Sequence, residues 1–500
     1  MKNEYEVVIA GGGPTGLMLA CELALKGIKT LVLDDKIAES PQSRGATIHP
    51  RTAELLYSRG ILEKFIEKGK DLLEKDPRLP LYHYAVMIKL KMYMLDSPCN
   101  FTLWLPQKDT EIILQNHALE LGVDILKNHE VIHFEEHYDG VVVEVKHLEN
   151  KLKFQAKYLV GCDGAKSKIR KISNIEMLGT NKTNTTLMAD IYLDTPLAYS
   201  TQCEFSSKGV VVVMPAGKKL TRFVIISDSI DKNLKENSLD LDLIKKYLLD
   251  ICGHDFGVKN SHWISSFGNA NKLAKQLIKN RVILAGDAAH YHLPAGGQGL
   301  NYGIQDAFNL GWKLAAELKG WAPKWLLDSY QTERIYAGKM LMESVKKQES
   351  LLFRTSESDI AFRKYFEDVI IETDEVNKKL TQEIAGLHIN YQNCTEDKNK
   401  LIGCRVPDLE LFEDFNCLNL YNLFSRGNFV FICFTHQKFR LPEEFKDRLD
   451  IYHFKYTEKR FEFFKTKYLL IRPDLYIAWA SDNLQSSVSI KKELNYWLKK

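Results

Sequence analysis

The chain has 500 residues, 45% hydrophobic and 27% charged, with 68 Lys and Arg against 65 Asp and Glu for a formal charge of +3. That length exceeds one ordinary core and predicts two or three domains, while the near balance of charge argues against a nucleic-acid binder. No apolar run approaches the ~20 residues of a bilayer-spanning helix, and nine scattered cysteines without a C-x-x-C pair suit a reducing cytosol and give neither a zinc site nor a redox dithiol.

Residues 1–5 lead directly into a short strand with no secretory segment, so a cytoplasmic location is expected. Residues 5–35 read as strand, tight turn, helix, strand. The apolar run Tyr5–Ala10 precedes Gly11-Gly12-Gly13-Pro14-Thr15-Gly16. Gly11 permits the turn, Gly13 lets backbone approach a pyrophosphate, and Gly16 lets helix and strand pack closely. Leu17, Ala20, Leu23 and Ala24 share a helix face, and Gly27 stands where a C-terminal cap belongs. The second strand, Thr30–Leu33, ends at Asp34, where an acid meets a ribose hydroxyl; its neighbour Asp35 reads as solvated. The glycines alone would also suit a strand–turn–helix that serves only packing. With an acid closing the second strand the pattern favours a dinucleotide, and Gly11, Gly13, Thr15, Gly16 and Asp34 are the binding candidates.

About 270 residues further on, Arg281–Ala285 reads as a buried strand ending in Gly286-Asp287. An acid at that position can accept a hydrogen bond from a polyol such as the ribitol of a flavin. Beyond Pro294, the turn from Gly296 to Asn301 opens an amphipathic helix with Leu300, Ile304, Ala307, Leu310, Leu314 and Leu318 on one face. The free amides of its first turn and its dipole favour negative charge in front of it. The anionic N1–C2 oxygen region of a reduced flavin is a suitable partner.

Further motifs lie between these two. Ser43-Arg44-Gly45-Ala46 leads to Arg51-Thr52-Ala53-Glu54-Leu55-Leu56, Gln107 is followed by Glu111 and Leu114, and Gly161-Cys162-Asp163-Gly164 is followed by Ser167 and Arg170. On these the chain resembles the group A flavoprotein monooxygenases of the p-hydroxybenzoate hydroxylase type. More narrowly it is similar to the phenol, polyketide and rifampicin hydroxylases that carry an extra C-terminal domain. The resemblance implies FAD contacts for Arg44 and Gln107, and a backbone contact to adenine at Val131. It implies roles for Asp163 and Gly164 toward FAD and NAD(P)H, and for Asp287 on the ribitol. Gly299, Leu300 and Asn301 would form the helix start facing the flavin. Pro294, whose backbone carbonyl in the family lies beside substrate and flavin, is the only near-catalytic candidate. Two departures are Leu293 in place of the first of two prolines, and Lys166 where arginine is usual, which keeps the charge but not the bidentate fork.

The implied reaction is that of an FAD-dependent monooxygenase. NADPH or NADH docks transiently as reductant, O2 adds to reduced flavin as a C4a-hydroperoxide, and a phenolic or polyketide-type aromatic, such as an antibiotic, is hydroxylated. No metal is expected. The alternatives are an FAD dehydrogenase or oxidase on the same fold, or a flavoprotein that only sequesters a ligand. The basic residues Lys151, Lys153, Lys157, Lys166, Lys168, Arg170 and Lys171 are either a solvated face or an attractor for the NADPH 2′-phosphate. A homodimer is one arrangement the sequence leaves open.

The expected fold class is α/β. A Rossmann-like FAD-binding domain would be drawn from 1–76, 107–175 and 268–345. A β-rich substrate domain would be inserted from 77–106 and 176–267, with strand-like runs at Thr186–Leu193, Gly209–Met214 and Thr221–Ser227. Tyr82, Tyr84, Met92, Tyr93, Phe101, Trp104, Met214, Phe223 and Trp263 read mainly as core, with a pocket wall as the alternative. His49, His290 and His292 are the histidines within reach of such a site, and none is assigned as a base. A helical connector would span 346–396. A thioredoxin-like domain without C-x-x-C would occupy 397–500, with strands at Phe429–Phe434, Tyr468–Ile471 and Tyr476–Ala480 and a helix at Ile490–Leu498.

Overall fold

The computed structural model describes residues 4–37, 45–73, 75–86, 88–193, 201–217, 219–234, 238–353, 356–394, 399–413, 416–435, 443–454, 466–483 and 485–500. The strand Val7–Ala10 is buried along its whole length, as an uninterrupted apolar run requires, and it takes the interior of a six-stranded sheet. The order is Ile278–Lys279, Val282–Leu284, Tyr158–Gly161, Val7–Ala10, Thr30–Asp34, Asp124–Lys127, parallel except for the first pair. Val7–Ala10 lies between Tyr158–Gly161 and Thr30–Asp34, so Gly11, Cys162-Asp163 and Asp34 all leave the carboxyl edge side by side, which is where open α/β sheets bind ligands.

The helix Pro14–Leu25 packs against the helix Gly299–Leu318. Apolar periodicity suggests a wet polar face for the second helix, but every residue from Asn301 to Ala316 is buried. Its polar side is covered by the helix Lys324–Leu352 and by the C-terminal unit, so Gln305, Asp306, Asn309 and Lys313 must find partners inside the protein.

A five-stranded antiparallel sheet runs Gln202–Ser206, Gly209–Gly217, Leu220–Ile226, Thr185–Leu193, Val258–Gly268. Its side chains alternate between two faces. Leu187, Ala189, Val211, Val213, Phe223 and Ile225 pack on the helix Leu241–Cys252, which is capped by Asp240 accepting from the Leu243 amide at 2.8 Å. Phe223 therefore belongs to that core and not to a pocket wall. Val210, Val212, Met214 and Val224 face the other way, toward the hairpin Leu81–Tyr84/Ile88–Lys91 and the helix Lys324–Leu352.

The C-terminal sheet has the order Leu449–His453, Phe429–Cys433, Tyr468–Ile471, Ile477–Ser481, the first pair parallel and the rest antiparallel, with the helix Ser487–Leu498 following. This thioredoxin-like unit buries Phe429, Phe431 and Leu494 with Trp312 and Leu326 of the preceding helices. A charged cluster lies in the same seam. Arg472 donates to Glu333 at 2.6 and 2.8 Å and to Asp474 at 2.6 and 2.9 Å, and Lys313 donates to Glu333 at 2.8 Å. The Glu333 carboxyl feels burial first, but Arg472 and Lys313 override it and hold the group well below the usual carboxylate range.

Two features cut across the expected division into units. The helix Lys324–Leu352 passes through 345/346 unbroken. The strand Thr102–Trp104 pairs with Thr47–Ile48, tying the end of the 77–106 segment to the part that carries the first glycine motif. No helix among the described residues is long and apolar enough to cross a membrane.

Candidate active site

Gly11 has φ +111, and a β-carbon there would lie 2.3 Å from the Cys162 carbonyl oxygen. The two strand ends can approach only because that position is glycine. Gly13 caps the helix Pro14–Leu25 with no side-chain bond, and a β-carbon on it would meet nothing within 4 Å. The first intrahelical bond runs from the Leu17 amide to the Gly13 carbonyl at 3.0 Å. The amides before it, with Thr15 and Gly16, therefore form an open cradle of positive dipole, which fits a pyrophosphate. Asp34 closes the cradle, 7% exposed, with Oδ2 2.7 Å from where a Gly12 β-carbon would sit. Gly12, which the sequence motif leaves as a spacer, is thus needed to seat Asp34. Burial raises the Asp34 carboxyl, and Lys36 opposes that rise.

Gln107 opens the helix Gln107–Glu120; its Oε1 accepts from the Gly45 amide at 3.2 Å and its Nε2 donates to Glu111 at 2.8 Å. A β-carbon on Gly45 would touch both Gln107 and Leu300, so three separate motifs converge there. Arg44 lies outside the described residues. Val131 is buried on the strand Glu130–Glu136, just past His129, whose amide donates to the Asp34 carbonyl at 2.8 Å.

Asp163 has local work to do: Oδ2 accepts from the Lys168 and Ile169 amides at 2.7 and 3.1 Å, capping the helix Lys168–Ile172. Its Oδ1 is buried without a hydrogen-bond partner among the described residues. Gly164 has φ +78 and open space in front of it. Arg170 ties this turn to the second motif, donating to Ala288 O and Ala165 O at 2.9 Å each. Within the basic stretch, Lys153 pairs with Glu144 and Lys168 with Glu130.

Asp287 is exposed on the turn Gly286–Ala288. A β-carbon on Gly299 would lie 3.9 Å from Asp287 Oδ1 and 3.5 Å from His292 Nε2, which places all three at one helix start. The amides of Gly299, Leu300 and Asn301 precede the first bond of that helix, Tyr302 N to Gln298 O at 3.0 Å. The Asn301 side chain is fully used in bracing. Its Oδ1 accepts from the His49 amide at 2.7 Å, and its Nδ2 donates to the Thr47 and Gly297 carbonyls at 3.0 and 2.9 Å. Only its backbone amide is left to face a cofactor. Pro294 is exposed at the entry of the turn, and its carbonyl accepts from the Gly297 amide at 3.4 Å. Tyr82 stands over this turn, its hydroxyl 2.9 Å from a β-carbon built on Gly297.

Each of the three histidines has a ring nitrogen engaged, while His290 Nδ1 and His292 Nε2 are buried without a hydrogen-bond partner among the described residues. Burial pushes His49 down to about 4, and its Nε2 lies 2.8 Å from the Gly296 carbonyl, as a donor of the neutral ring. His292 is likewise lowered to about 4 by burial, with Nδ1 2.6 Å from the Leu293 carbonyl. His290 Nε2 lies 2.6 Å from Asp306. Asp306 also accepts from the Gly286 amide at 2.9 Å and from Arg334 at 2.5 Å. Burial works to raise its carboxyl, but Arg334 and then His290 hold it down, to about 2. Arg334 in turn donates to the Tyr391 hydroxyl at 3.0 Å. Asp306, Arg334 and Tyr391 thus fix the Gly286-Asp287 turn. The sequence signal for Asp306 was an acid among the apolar positions of a helix.

Residues 4–345 match the family model described as FAD binding domain, and residues 399–500 match that of the aromatic-ring hydroxylase C-terminal domain. The chain is 37% identical to the aromatic compound monooxygenase YhjG of Bacillus subtilis, covering 99% of each chain. It is 34% identical to a rifampicin monooxygenase of Streptomyces venezuelae, covering 96% of each. Among solved structures, the anhydrotetracycline hydroxylase OxyS of Streptomyces rimosus superposes with a TM-score of 0.88 at 31% identity, covering 99% of each chain. A cradle with room for a pyrophosphate, an acid at each strand end and end-to-end likeness to these enzymes agree: the chain belongs to the FAD-dependent aromatic-ring monooxygenases.

Proposed function

We propose that this FAD-dependent monooxygenase hydroxylates a phenolic or polyketide-type aromatic of antibiotic-like scaffold, with NAD(P)H as a transient reductant and O2 as co-substrate. The observation that carries this reading is the closure of the first glycine-rich turn on the second, with Thr15 against Gly286 and Gly303, while Met214, Val224 and Tyr82 pack in the apolar cluster that holds Leu293 and Ala295 on either side of Pro294. Relatives that act on rifampicin and on anhydrotetracycline support a large fused-ring substrate.

FAD, when bound, supplies the electrons taken from NAD(P)H and the activation of O2. The chain's own residues bind, orient and exclude water. The amides of Gly13, Thr15 and Gly16 would hold the pyrophosphate and Gly11 shapes the turn, while Asp34 would accept from the ribose. Gln107 would lie beside the cofactor, a part the family resemblance also gives to Arg44; Val131 would meet the adenine through its backbone, and Asp163 with Gly164 would hold the middle. Asp287 accepts from the ribitol. The amides of Gly299, Leu300 and Asn301, which precede the first bond of their helix, would hold the edge of the flavin ring and favour negative charge there. The Pro294 carbonyl orients the ring to be hydroxylated, and the apolar wall keeps water away. His49 holds its proton on Nε2 against Gly296 O, so it shapes the turn and takes no proton from a substrate. The substrate space lies between the 1–76, 107–175 and 268–345 segments and the 77–106 and 176–267 segments, with 346–396 connecting to the 397–500 unit.

Anaerobic bleaching of the flavin by NADPH, with and without phenols, anthraquinones, tetracyclines and rifamycins, tests this. One class is expected to accelerate bleaching and, after admission of air, to yield a product heavier by one oxygen. Rapid reduction with no ligand and no oxygenated product would instead favour a dehydrogenase or oxidase.

A further inference from the structure

Two arginines sit on the substrate side of the five-stranded sheet, and their surroundings differ. Arg222 is held by Asp190 through two parallel bonds of 2.7 and 2.9 Å, and its guanidinium lies 5.4 Å from the Trp263 ring. It is a satisfied, bidentate pair. Arg363, on the helix Glu357–Glu372, is 7% exposed, yet none of its three guanidinium nitrogens Nε, Nη1 and Nη2 has a hydrogen-bond partner among the described residues. Its guanidinium lies 5.1 Å over the ring of Phe205. Asp359, one turn earlier, is the nearest carboxylate in its field, and Cys203 is its other titratable neighbour. Neither hydrogen-bonds to it. A guanidinium removed from water with its donors unused is costly and calls for a partner.

The place it occupies indicates which partner. Phe205 and Cys203 share a sheet face with Val210, Val212 and Met214, and this face belongs to one packed cluster with Leu293 and Ala295, the neighbours of Pro294. Phe366, one turn beyond Arg363, packs against the same cluster, while Phe362 and Tyr365 point to solvent, 59% and 66% exposed. The helix therefore turns Arg363 inward, toward the wall that leads to the glycine turn.

We infer that Arg363 anchors a planar anionic oxygen pair of the substrate, a carboxylate or the enolate of a β-dicarbonyl, at the end of the substrate space bounded by the strand Gln202–Ser206 and the helix Glu357–Glu372. The guanidinium carbon lies 5.1 Å over the Phe205 ring, and its three unpartnered nitrogens are available for two parallel bonds to a planar anion. The inference rests on the monooxygenase reading above and adds a charge requirement at the edge of the substrate remote from the hydroxylated ring.

The test is a binding titration that needs no turnover. A hydroxyanthraquinone carboxylic acid and its methyl ester, and a hydroxynaphthoic acid and its methyl ester, are titrated into the holoenzyme by the compounds' own fluorescence. The wild type is expected to bind the acid at least about tenfold more tightly than the ester in one scaffold, as a charge-assisted bidentate contact requires. Arg363→Gln should remove that preference and leave ester affinity unchanged, and Arg363→Lys should keep part of it. Equal affinity of acid and ester in the wild type, or no binding of either acid, overturns the inference. So does a Gln variant that weakens acid and ester alike, which is what a purely structural arginine would give. If Arg363→Gln fails to fold, Arg363→Lys still reads the preference, and equal wild-type affinity for acid and ester still overturns the inference. A retained acid preference with no oxygenated product sinks the reaction assignment alone. Oxygenation of esters and acids without preference sinks the anchor alone.

Discussion

The hydroxyl of Thr15 lies against the α-carbon of Gly286, close enough that a β-carbon there would sit 2.6 Å from Thr15 Oγ1. The same oxygen would be 2.2 Å from a β-carbon on Gly303, so both glycine motifs and the helix Gly299–Leu318 close on one small side chain. Gly303→Ala is expected to cost about 1–3 kcal/mol, the usual range for overpacking, and to loosen FAD. Thr15→Ala in the same chain should restore most of both, read by thermal melting and by flavin retained on gel filtration. Gly286→Ala should not be rescued in this way, because Gly286 has φ +61 and any side chain there is strained whatever the space.

Asp34 closes the first cradle with its carboxylate against Gly12. Asp34→Ala is expected to weaken FAD binding by about 1.5–3 kcal/mol, the range for hydrogen bonds to a charged group, while leaving the melting temperature of the flavin-free protein close to wild type. Quenching of flavin fluorescence on titration with apoprotein measures it. Unchanged affinity would remove Asp34 from the site.

His49 gives the protein an acid limit. Its folded value, about 4, lies below the ordinary 6.5, so the neutral ring is the form the fold prefers. The stability it contributes is complete above pH 6.5 and is lost as pH falls toward 4, up to about 3 kcal/mol for a shift of this size. His49→Gln keeps a donor for Gly296 O and removes the titration. Denaturant melts across this window should show a shallower pH slope in the variant; His292 is lowered in the same way and leaves a residual slope.

Arg472 joins the C-terminal unit to the helix Lys324–Leu352 through Glu333. Arg472→Met leaves two buried carboxylates, Glu333 and Asp474, against the single cation Lys313, which should cost about 3–5 kcal/mol. Adding Asp474→Asn leaves Lys313 and Glu333 as a matched buried pair and should recover much of the loss. Asn309 and Lys313, on the helix Gly299–Leu318, both bond to Glu333. The single variant is therefore expected to release FAD at a lower urea concentration than wild type.

The parts legible in the sequence are those where one local pattern has one meaning. The run Val7–Ala10 followed by Gly11, Gly13 and Gly16 is apolar throughout and could only be a central strand feeding a tight turn. Thr185–Leu193 and Leu220–Ile226 are β-branched enough to read as strands. The strand Leu449–His453 was not legible, because Leu-Asp-Ile-Tyr-His is mostly half-buried at the sheet edge and has no clean alternation. The helix Gly299–Leu318 was legible as a helix but not in its surroundings: Asp306, Asn309 and Lys313 look like a wet face until tertiary packing buries them. Asn301 was legible as part of the site, yet its side chain holds the turn from behind, a distinction that depends on Thr47 and His49, some 250 residues away.

The alternation of the five-stranded sheet separates two kinds of change. Along Gly209–Gly217 and Leu220–Ile226, Val211, Val213, Phe223 and Ile225 interlock with the helix Leu241–Cys252, and the sheet's integrity depends on them. The intervening Val210, Val212, Met214 and Val224 look the other way, and a new shape there alters a wall without unseating the helix behind it. Substitutions on that second face can therefore reshape what packs against it one methyl group at a time while the sheet and the helix Leu241–Cys252 keep their fit.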